Sequence, residues 1–391
     1  MARKKSAFRT WLSGRRLRWL VLRAVGAVAP SLVARVHFSA RSVRAEEAAR
    51  HVVENAREPV VLRHSPAEAR DILAPAARTD TGDTRGTAAG TGAMRYQTMY
   101  LADCAILGHT RSVVRRRDCA LVNYDASPGN WNYAKPARLR ALSAGPEPHV
   151  LLDGTGHFFH FFANGLMPVL RYLERDPQAR ITLVVPTRLF GFEAETLAAL
   201  AAAFPGVTLK PLARDEKIVG AEVLWLMALC TDYEWMPVTR ARATVLREML
   251  QRHWAAGGTP VAPPTARLYL DRGEAKLRRL TDAAEVRGGL ERAGFRSFVA
   301  HAGNFPEQVA AFHGAEEIVA VHGAGLTNLL FCRPGTRVIE VFPENFIKST
   351  YFWLARQLEL DYRYVIGGPG DYDQAFAAGA DRLARAVTAR V

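Results

Sequence analysis

Short apolar runs alternate along the chain with segments whose apolar residues recur every three or four positions, and this alternation sets the expected architecture. From about residue 94 to 250 the runs HVLLDG, ITLVVP, VTLKPL and AEVLWLMAL are separated by the aromatic segment FFHFFANGLMPVLRYLE and by an Ala- and Leu-rich helical pattern. Strands alternating with helices in this way predict α/β structure with parallel strands. Beyond residue 265 the alternation sharpens. ARLYLDR reads as a buried strand and DAAEVRGGLERAG as a helix started by Thr281 or Asp282 and stopped by Gly294. FRSFVAH is a strand, and NFPEQVAAFHGA a helix with Asn304 as cap. EIVAVHG is a strand, LTNLLFCR a short helix and TRVIEVFP a strand, with a last helix in FIKSTYFWLARQLEL and a last strand in YRYVIGG. Five strands joined by right-handed crossovers predict a doubly wound, Rossmann-like domain.

Gly and Pro are densest in AAGGTPVAPPT, around residues 255 to 265, which places a linker between a first α/β domain over 46–255 and a second over 266–391. Residues 78–93, RTDTGDTRGTAAGTGA, hold no large apolar side chain and are expected to form a surface loop able to serve as a lid. Composition adds little to this division but excludes some classes. With 391 residues, 49% of them hydrophobic and 23% charged, disorder as the main state is excluded. Cys104, Cys119, Cys230 and Cys332 are scattered without a CxxC pair, which argues against a disulfide framework or a cysteine zinc site and for a reducing compartment.

The net charge of +14 is concentrated at one end. Residues 1–50 carry twelve Arg or Lys against two Glu, so +10 of it sits there and the rest of the chain has little excess charge to offer nucleic acid. The leader over 1–45 has an apolar run broken by Arg23 and Pro30, too short for a bilayer span and without a clear signal-cleavage site. The expected location is cytoplasmic. Trp11, Leu12, Leu17, Trp19, Leu20 and Leu22 interleave with Arg15, Arg16, Arg18 and Arg23, a pattern that fits a helix lying on an anionic membrane surface as well as a solvated leader.

In an open parallel sheet the ligand lies beyond the carboxyl ends of the strands, so strand-ending residues are the first candidates. His322, Gly323, Ala324, Gly325, Leu326, Thr327 and Asn328 form a small-residue turn that opens a helix. Such a turn can present backbone N–H groups to a phosphate or can be purely structural, and it lacks the third glycine of the dinucleotide fingerprint. Arg272 ends the strand RLYLDR, where a guanidinium can hold a diphosphate; Arg278, further on, reads as an exposed helix position. Glu340 lies inside an apolar strand, so it accepts ligand hydroxyls, such as those of a ribose, or meets a buried Arg or Lys. His160, among four Phe, is either a base or a packed core residue, with Asp153 and His157 close by in sequence. Asp232, Tyr233 and Glu234 follow AEVLWLMAL and resemble a DxD-like metal motif.

VAVHGAGLTNLLFCRPGTRVIEVFP, residues 319–343, resembles the signature of glycosyltransferase family 61, which includes capsular polysaccharide transferases of bacteria. The resemblance extends upstream through RLYLDRGEAKLRRLTDAAEVRGGLERAGF, through Glu307 and Gln308 of NFPEQVAAFHGAEEIV, and to GHFFHFFANGLMPVLRYL, where His160 falls on the family's histidine. It implies a GT-B type α/β fold, two Rossmann-like domains facing a cleft, with a nucleotide-sugar, UDP-linked, donor held by the second domain and inversion at the anomeric carbon. It also implies that Arg272, His322, Gly323, Gly325, Asn328 and Glu340 line the donor site, and that the other partner is a glycan or lipid-linked glycan hydroxyl. No cofactor and no metal is implied, and Asp232, Tyr233 and Glu234 would then offer a further base or an acceptor contact. Two positions depart from the family pattern. Asp271 stands where the family commonly has Ser, beside Arg272, and Asn164 follows His160 by four residues where many relatives carry an acid. The expected activity is transfer of a sugar to a capsular or cell-surface glycan, with His160, Asp153 or Asp232 as base. A non-catalytic scaffold of a polysaccharide assembly complex and a nucleotide-sugar epimerase or hydrolase are the alternatives, and a nicotinamide dehydrogenase ranks last.

Overall fold

The computed structural model describes residues 42–44, 51–59, 93–116, 120–123, 139–229, 238–258, 265–273 and 275–388. Nearly all of the basic leader, residues 78–92, the centre of the Gly/Pro linker and the Asp232–Glu234 triplet lie outside the described residues. Among those described, no helix is long and apolar enough to cross a membrane.

The first sheet has ten strands. They are β1 (Ser42–Arg44), β2 (His51–Pro59), β3 (Ala93–Leu107), β4 (Ser112–Arg115), β5 (Ala120–Asn123), β6 (Arg140–Ser143), β7 (His149–Leu151), β8 (Ile181–Pro186), β9 (Val207–Leu212) and β10 (Glu216–Leu229). Parallel pairing was expected throughout. It holds for β7 with β8, β8 with β9, and β10 with β6 and β7. It fails for β2, β3, β4 and β5, which pair antiparallel in succession, and for β3 against β10. The first half is therefore a mixed sheet and not a second Rossmann-like one. The reason is local: the chain between β3 and β4 is a tight turn through Arg111 at φ 54°, and so short a connection can only reverse direction.

The second sheet is wholly parallel, as expected. Its strands β11 (Arg267–Asp271), β12 (Arg296–Val299), β13 (Glu317–Val321), β14 (Arg337–Phe342) and β15 (Asp361–Ile366) lie in the order β12-β11-β13-β14-β15. The order reverses between β11 and β13, and the carboxyl ends of those two strands are where such a sheet takes a ligand.

Helices α1 (Phe158–His160), α2 (Met167–Arg175), α3 (Gly191–Ala203) and α4 (Arg240–Ala256) belong to the first half; a π-helical turn, Phe161–Leu166, joins α1 to α2. In the second half are α5 (Ala283–Arg292), α6 (Phe305–Gly314), a 3-10 helix Ala324–Phe331, α7 (Thr350–Gln357) and α8 (Ala380–Thr388). Gly294, at φ 84°, ends α5 as expected. Asp282 and Asn304 stand at the N-cap positions, as expected, but neither side chain bonds to its own helix's first turn N–H groups. Asn304 Oδ1 accepts from the His301 N–H and from Gln308 Nε2, and the Asp282 carboxylate accepts from the N–H groups of Ala378 and Gly379.

Strand alternation divides the second sheet cleanly. Tyr269, Val319, Val321, Ile339 and Val341 pack against α5 and α8, whereas Leu268, Leu270, Ile318, Ala320 and Val338 face α6, the 3-10 helix and α7. The latter core continues without a break into the first half, through Phe161, Phe162, Phe192, Leu246 and Trp254. Phe305 stands at the junction, edge-on to Phe158, Phe192, Trp254 and Phe331 at centroid distances of 6.1, 6.2, 5.6 and 6.0 Å. Five large rings locked together in this way hold the carboxyl ends of the two sheets in a fixed relation.

Candidate active site

Arg272 follows β11 and shares the parity of Leu268 and Leu270, so it points to the face that meets the first half. Its Nη2 donates to the Leu277 carbonyl at 2.7 Å and its Nη1 to the His322 carbonyl at 3.4 Å, while Nε is buried without a partner. Arg278 converges on the same place. Held at φ 56°, it donates from Nε to the His322 carbonyl at 2.9 Å and from Nη1 to Gln374 Oε1 at 3.0 Å, and its guanidinium lies over the Phe346 ring at 5.1 Å. The expected exposed helix position is thus corrected: Arg278 is half-buried and belongs to the site. Burial, and then the nearby Arg278, lowers Arg272 to about 10, and burial lowers Arg278 as well. Neither makes an ion pair among the described residues. Two half-buried guanidiniums that meet on one carbonyl with no carboxylate bound to them form a site of unbalanced positive charge, suited to an anion with several oxygens.

Asp271 does not disturb this arrangement. Having the opposite parity on β11, it points to α5, where its Oδ2 accepts from Arg287 Nη2 at 2.5 Å and Nε at 2.9 Å. The two glycines of the turn answer to close approach. A Cβ on Gly323 would lie 1.8 Å from Arg272 Nη1, and one on Gly325 would lie 2.9 Å from Leu270 Cδ2. Leu326, Thr327 and Asn328 are fully buried. Asn328 Nδ2 donates to Gln308 Oε1 at 2.9 Å and to the Gly325 carbonyl at 3.0 Å, so it shapes the turn from behind.

His322 ends β13 on the face shared with Glu340, whose register partner on β13 is Ala320. The buried Arg or Lys offered as a partner for Glu340 is replaced by His322 and Tyr362. Its Oε1 is 2.5 Å from His322 Nδ1 and its Oε2 accepts from the Tyr362 hydroxyl at 2.5 Å, with the carboxylate wholly buried. The imidazole is stacked on Phe342 at 5.2 Å and flanked by Tyr351 at 5.4 Å and Phe346 at 5.7 Å.

On the first half, the loop after β7 leads into α1. Phe159, Phe161 and Phe162 are buried while His160 and Asn164 are exposed, which decides against His160 as a core residue. His160 Nδ1 is 2.8 Å from Asn164 Oδ1. The amide oxygen can only accept, so Nδ1 carries the proton and Nε2 is left as a lone pair. The π-helical turn brings Asn164 into place, and its backbone is gripped by the preceding loop. Gly154, at φ 70°, and Gly165 allow this: a Cβ on either would fall 2.1 Å from the His160 carbonyl oxygen or 2.4 Å from that of Asp153. Asp153 is exposed and accepts from the Gly154 N–H; His157 Nδ1 accepts from the His160 N–H. Burial, then the neighbouring His160, lowers His157. Buried Glu193 fastens the loop through the Gly156 N–H at 2.6 Å, and Arg111 ties the ends of β7 and β8 through the Leu152 and Val184 carbonyls.

A line of rings joins the two clusters. Phe159 is 5.4 Å from His160 and 6.1 Å from Tyr351, which in turn is 5.4 Å from His322. The structure therefore brings His160, Asp153, Arg272, His322 and Gly323 to one region, keeps Leu326, Thr327, Asn328 and Glu340 behind it, and leaves Asp232 outside the described residues. Arg278, Tyr351, Tyr362 and Arg111 were not singled out from sequence. Only Arg278 gave a signal, as part of the basic run after Arg272.

The structure thus sets two half-buried guanidiniums at the switch point of a parallel sheet, with an exposed histidine on the first half joined to them by a line of rings. The model of the glycosyltransferase 61 family matches residues 156–339, the stretch that carries His160, Arg272 and the turn at His322. Two relatives come from Oryza sativa subsp. japonica. Beta-1,2-xylosyltransferase RCN11 is 32% identical over 69 residues, 18% of this chain and 13% of the relative. Beta-1,2-xylosyltransferase XAX1 is 33% identical over 99 residues, 24% of this chain and 18% of the relative. The chain thus aligns with less than a fifth of the length of either.

Proposed function

We propose that the protein is an inverting glycosyltransferase that moves a sugar from a nucleotide-sugar donor to a hydroxyl of a cell-surface or capsular glycan. The observation that carries this reading is the pair Arg272 and Arg278, converging without a carboxylate counter-ion at the switch point of the parallel sheet. A nucleoside diphosphate fits that charge. The names of the two rice relatives make UDP-xylose the first donor to try. The wholly parallel second sheet supports the donor-binding half of a GT-B type arrangement, and the basic leader supports a protein working at the cytoplasmic face of a membrane.

In this mechanism the acceptor hydroxyl approaches from the first half. His160 Nε2 takes its proton as the oxygen attacks the anomeric carbon, and Asn164 keeps the ring in the tautomer that can do so. The bond from that carbon to the diphosphate oxygen breaks on the opposite side, and its electron pair stays on the departing diphosphate, where Arg272 and Arg278 neutralise the growing charge. Attack from one half and departure toward the other invert the configuration. Calorimetry against a panel of UDP, GDP, CMP and ADP sugars tests the reading: binding of at least one is expected, and silence across the panel would overturn it.

A further inference from the structure

We propose that Glu340 is a positioning residue for the transfer reaction, acting through His322: the buried line Tyr362–Glu340–His322 presents His322 Nε2–H as a donor to the departing diphosphate. The inference rests on the glycosyltransferase reading and assigns to Glu340 a part that the family resemblance does not. A carboxylate lining a donor site would touch the ribose, but this one is wholly buried and both its oxygens are taken by protein partners.

Both carboxylate oxygens are engaged, Oε1 with His322 Nδ1 and Oε2 with the Tyr362 hydroxyl, each at 2.5 Å. A carboxylate at Nδ1 fixes the ring orientation and stabilises the imidazolium. Nε2 has no protein partner among the described residues. The same residue's carbonyl receives Arg272 and Arg278, so ring and guanidiniums belong to one binding surface. Stacking on Phe342 and the flank of Tyr351 leave the ring little freedom to turn. The charged and titratable groups around it are Glu340 and Tyr362 from the sheet, Tyr351 from α7, and Arg272 and Arg278 from the loop after β11. Burial raises both tyrosines, so they stay neutral and bring no negative charge to the ring. The two arginines disfavour an imidazolium, and Glu340 is the one group that favours it. When the donor bond breaks, the electron pair passes to the diphosphate oxygen, and Nε2–H hydrogen-bonds to that oxygen without a net change in protons elsewhere.

The test compares pH–rate profiles of the full chain with those of Glu340→Gln and Tyr362→Phe. An acid is lost as pH rises, and removing the carboxylate makes the imidazolium easier to deprotonate. Glu340→Gln should therefore lower kcat roughly 100-fold at neutral pH and move the alkaline limb down by about one pH unit or more, whereas Tyr362→Phe, which removes a donor that draws charge off the carboxylate, should move it upward by less. An unmoved alkaline limb, or a shift confined to the acidic limb, would overturn the inference while leaving transfer itself intact. Nitrogen-15 spectra of histidine-labelled wild-type protein give a readout that needs no variant to fold: both ring nitrogens of His322 should be protonated at every pH at which the enzyme is active, and a ring without a proton on Nε2 would overturn the inference. If no nucleotide sugar binds at all, the functional reading falls and takes this one with it.

Discussion

His160 and Asn164 form a hydrogen bond of 2.8 Å across one π-helical turn, and it converts an apparent loss into a working arrangement. An acid at position 164 would have competed for the role of base; the amide instead sets the tautomer of the histidine. His160→Ala should reduce transfer by roughly 100-fold or more with donor affinity nearly unchanged, as measured by steady-state kinetics beside calorimetry. Asn164→Asp places a negative charge at Nδ1 and should move the acidic limb of the rate profile upward by about one unit or more. An acidic limb that stays in place would show that His160 does not titrate as the base.

Arg272→Ala should cost about 2 to 4 kcal/mol of transition-state stabilisation, seen as a fall in kcat/KM. Gly323→Ala tests the same contact without removing the charge. Its methyl would lie 1.8 Å from Nη1, so the guanidinium must move, and a loss in the same direction is expected. Full activity in Gly323→Ala together with loss in Arg272→Ala would mean that charge matters and placement does not.

Phe305 binds the two halves into one core. Phe305→Ala should destabilise the protein by roughly 3 to 5 kcal/mol, because the ring is wholly buried among aromatic neighbours that cannot close over the space. Calorimetric unfolding of the wild type should then show the halves melting together. Separate transitions, with only one of them moved by the substitution, would contradict a shared core.

His149 and His313 are lowered below 6.5 chiefly by burial, so in the folded state they stay neutral where the unfolded chain takes up protons. The unfolded state then binds more protons, and stability falls as pH drops below about 6.5. Thermal melts between pH 7.5 and 5 should show a declining midpoint, and His149→Leu should flatten part of that decline. An equal slope in the variant would assign the acid sensitivity to other groups.

Much of the second half was legible in the residues. Its strands are short, apolar and separated by helices, and the turn at His322 and the cation at Arg272 could be placed at strand ends from that pattern. The first half misled because β3 and β10 are long strands whose antiparallel pairing leaves no trace in local periodicity. Asp271 looked like a charge beside Arg272, yet period-two alternation turns it to the far side, where Arg287 meets it. Arg278 was read as solvent-facing because the basic run around it resembles an exposed helix; its place in the site comes from a left-handed backbone and from contacts to His322 and Gln374.

The sequence by itself determined the order of strands and helices, the face each strand residue takes, and the residues that end the strands, since these depend on near neighbours and on a fixed period. Tertiary structure alone decided that two guanidiniums share one carbonyl, that Glu340 turns to His322 and Tyr362, and that His160 stands across from them. Those partners lie tens to more than a hundred positions apart along the chain, and only the packing of β11, β13, β14 and the aromatic junction around Phe305 brings them within hydrogen-bonding or ring-contact distance.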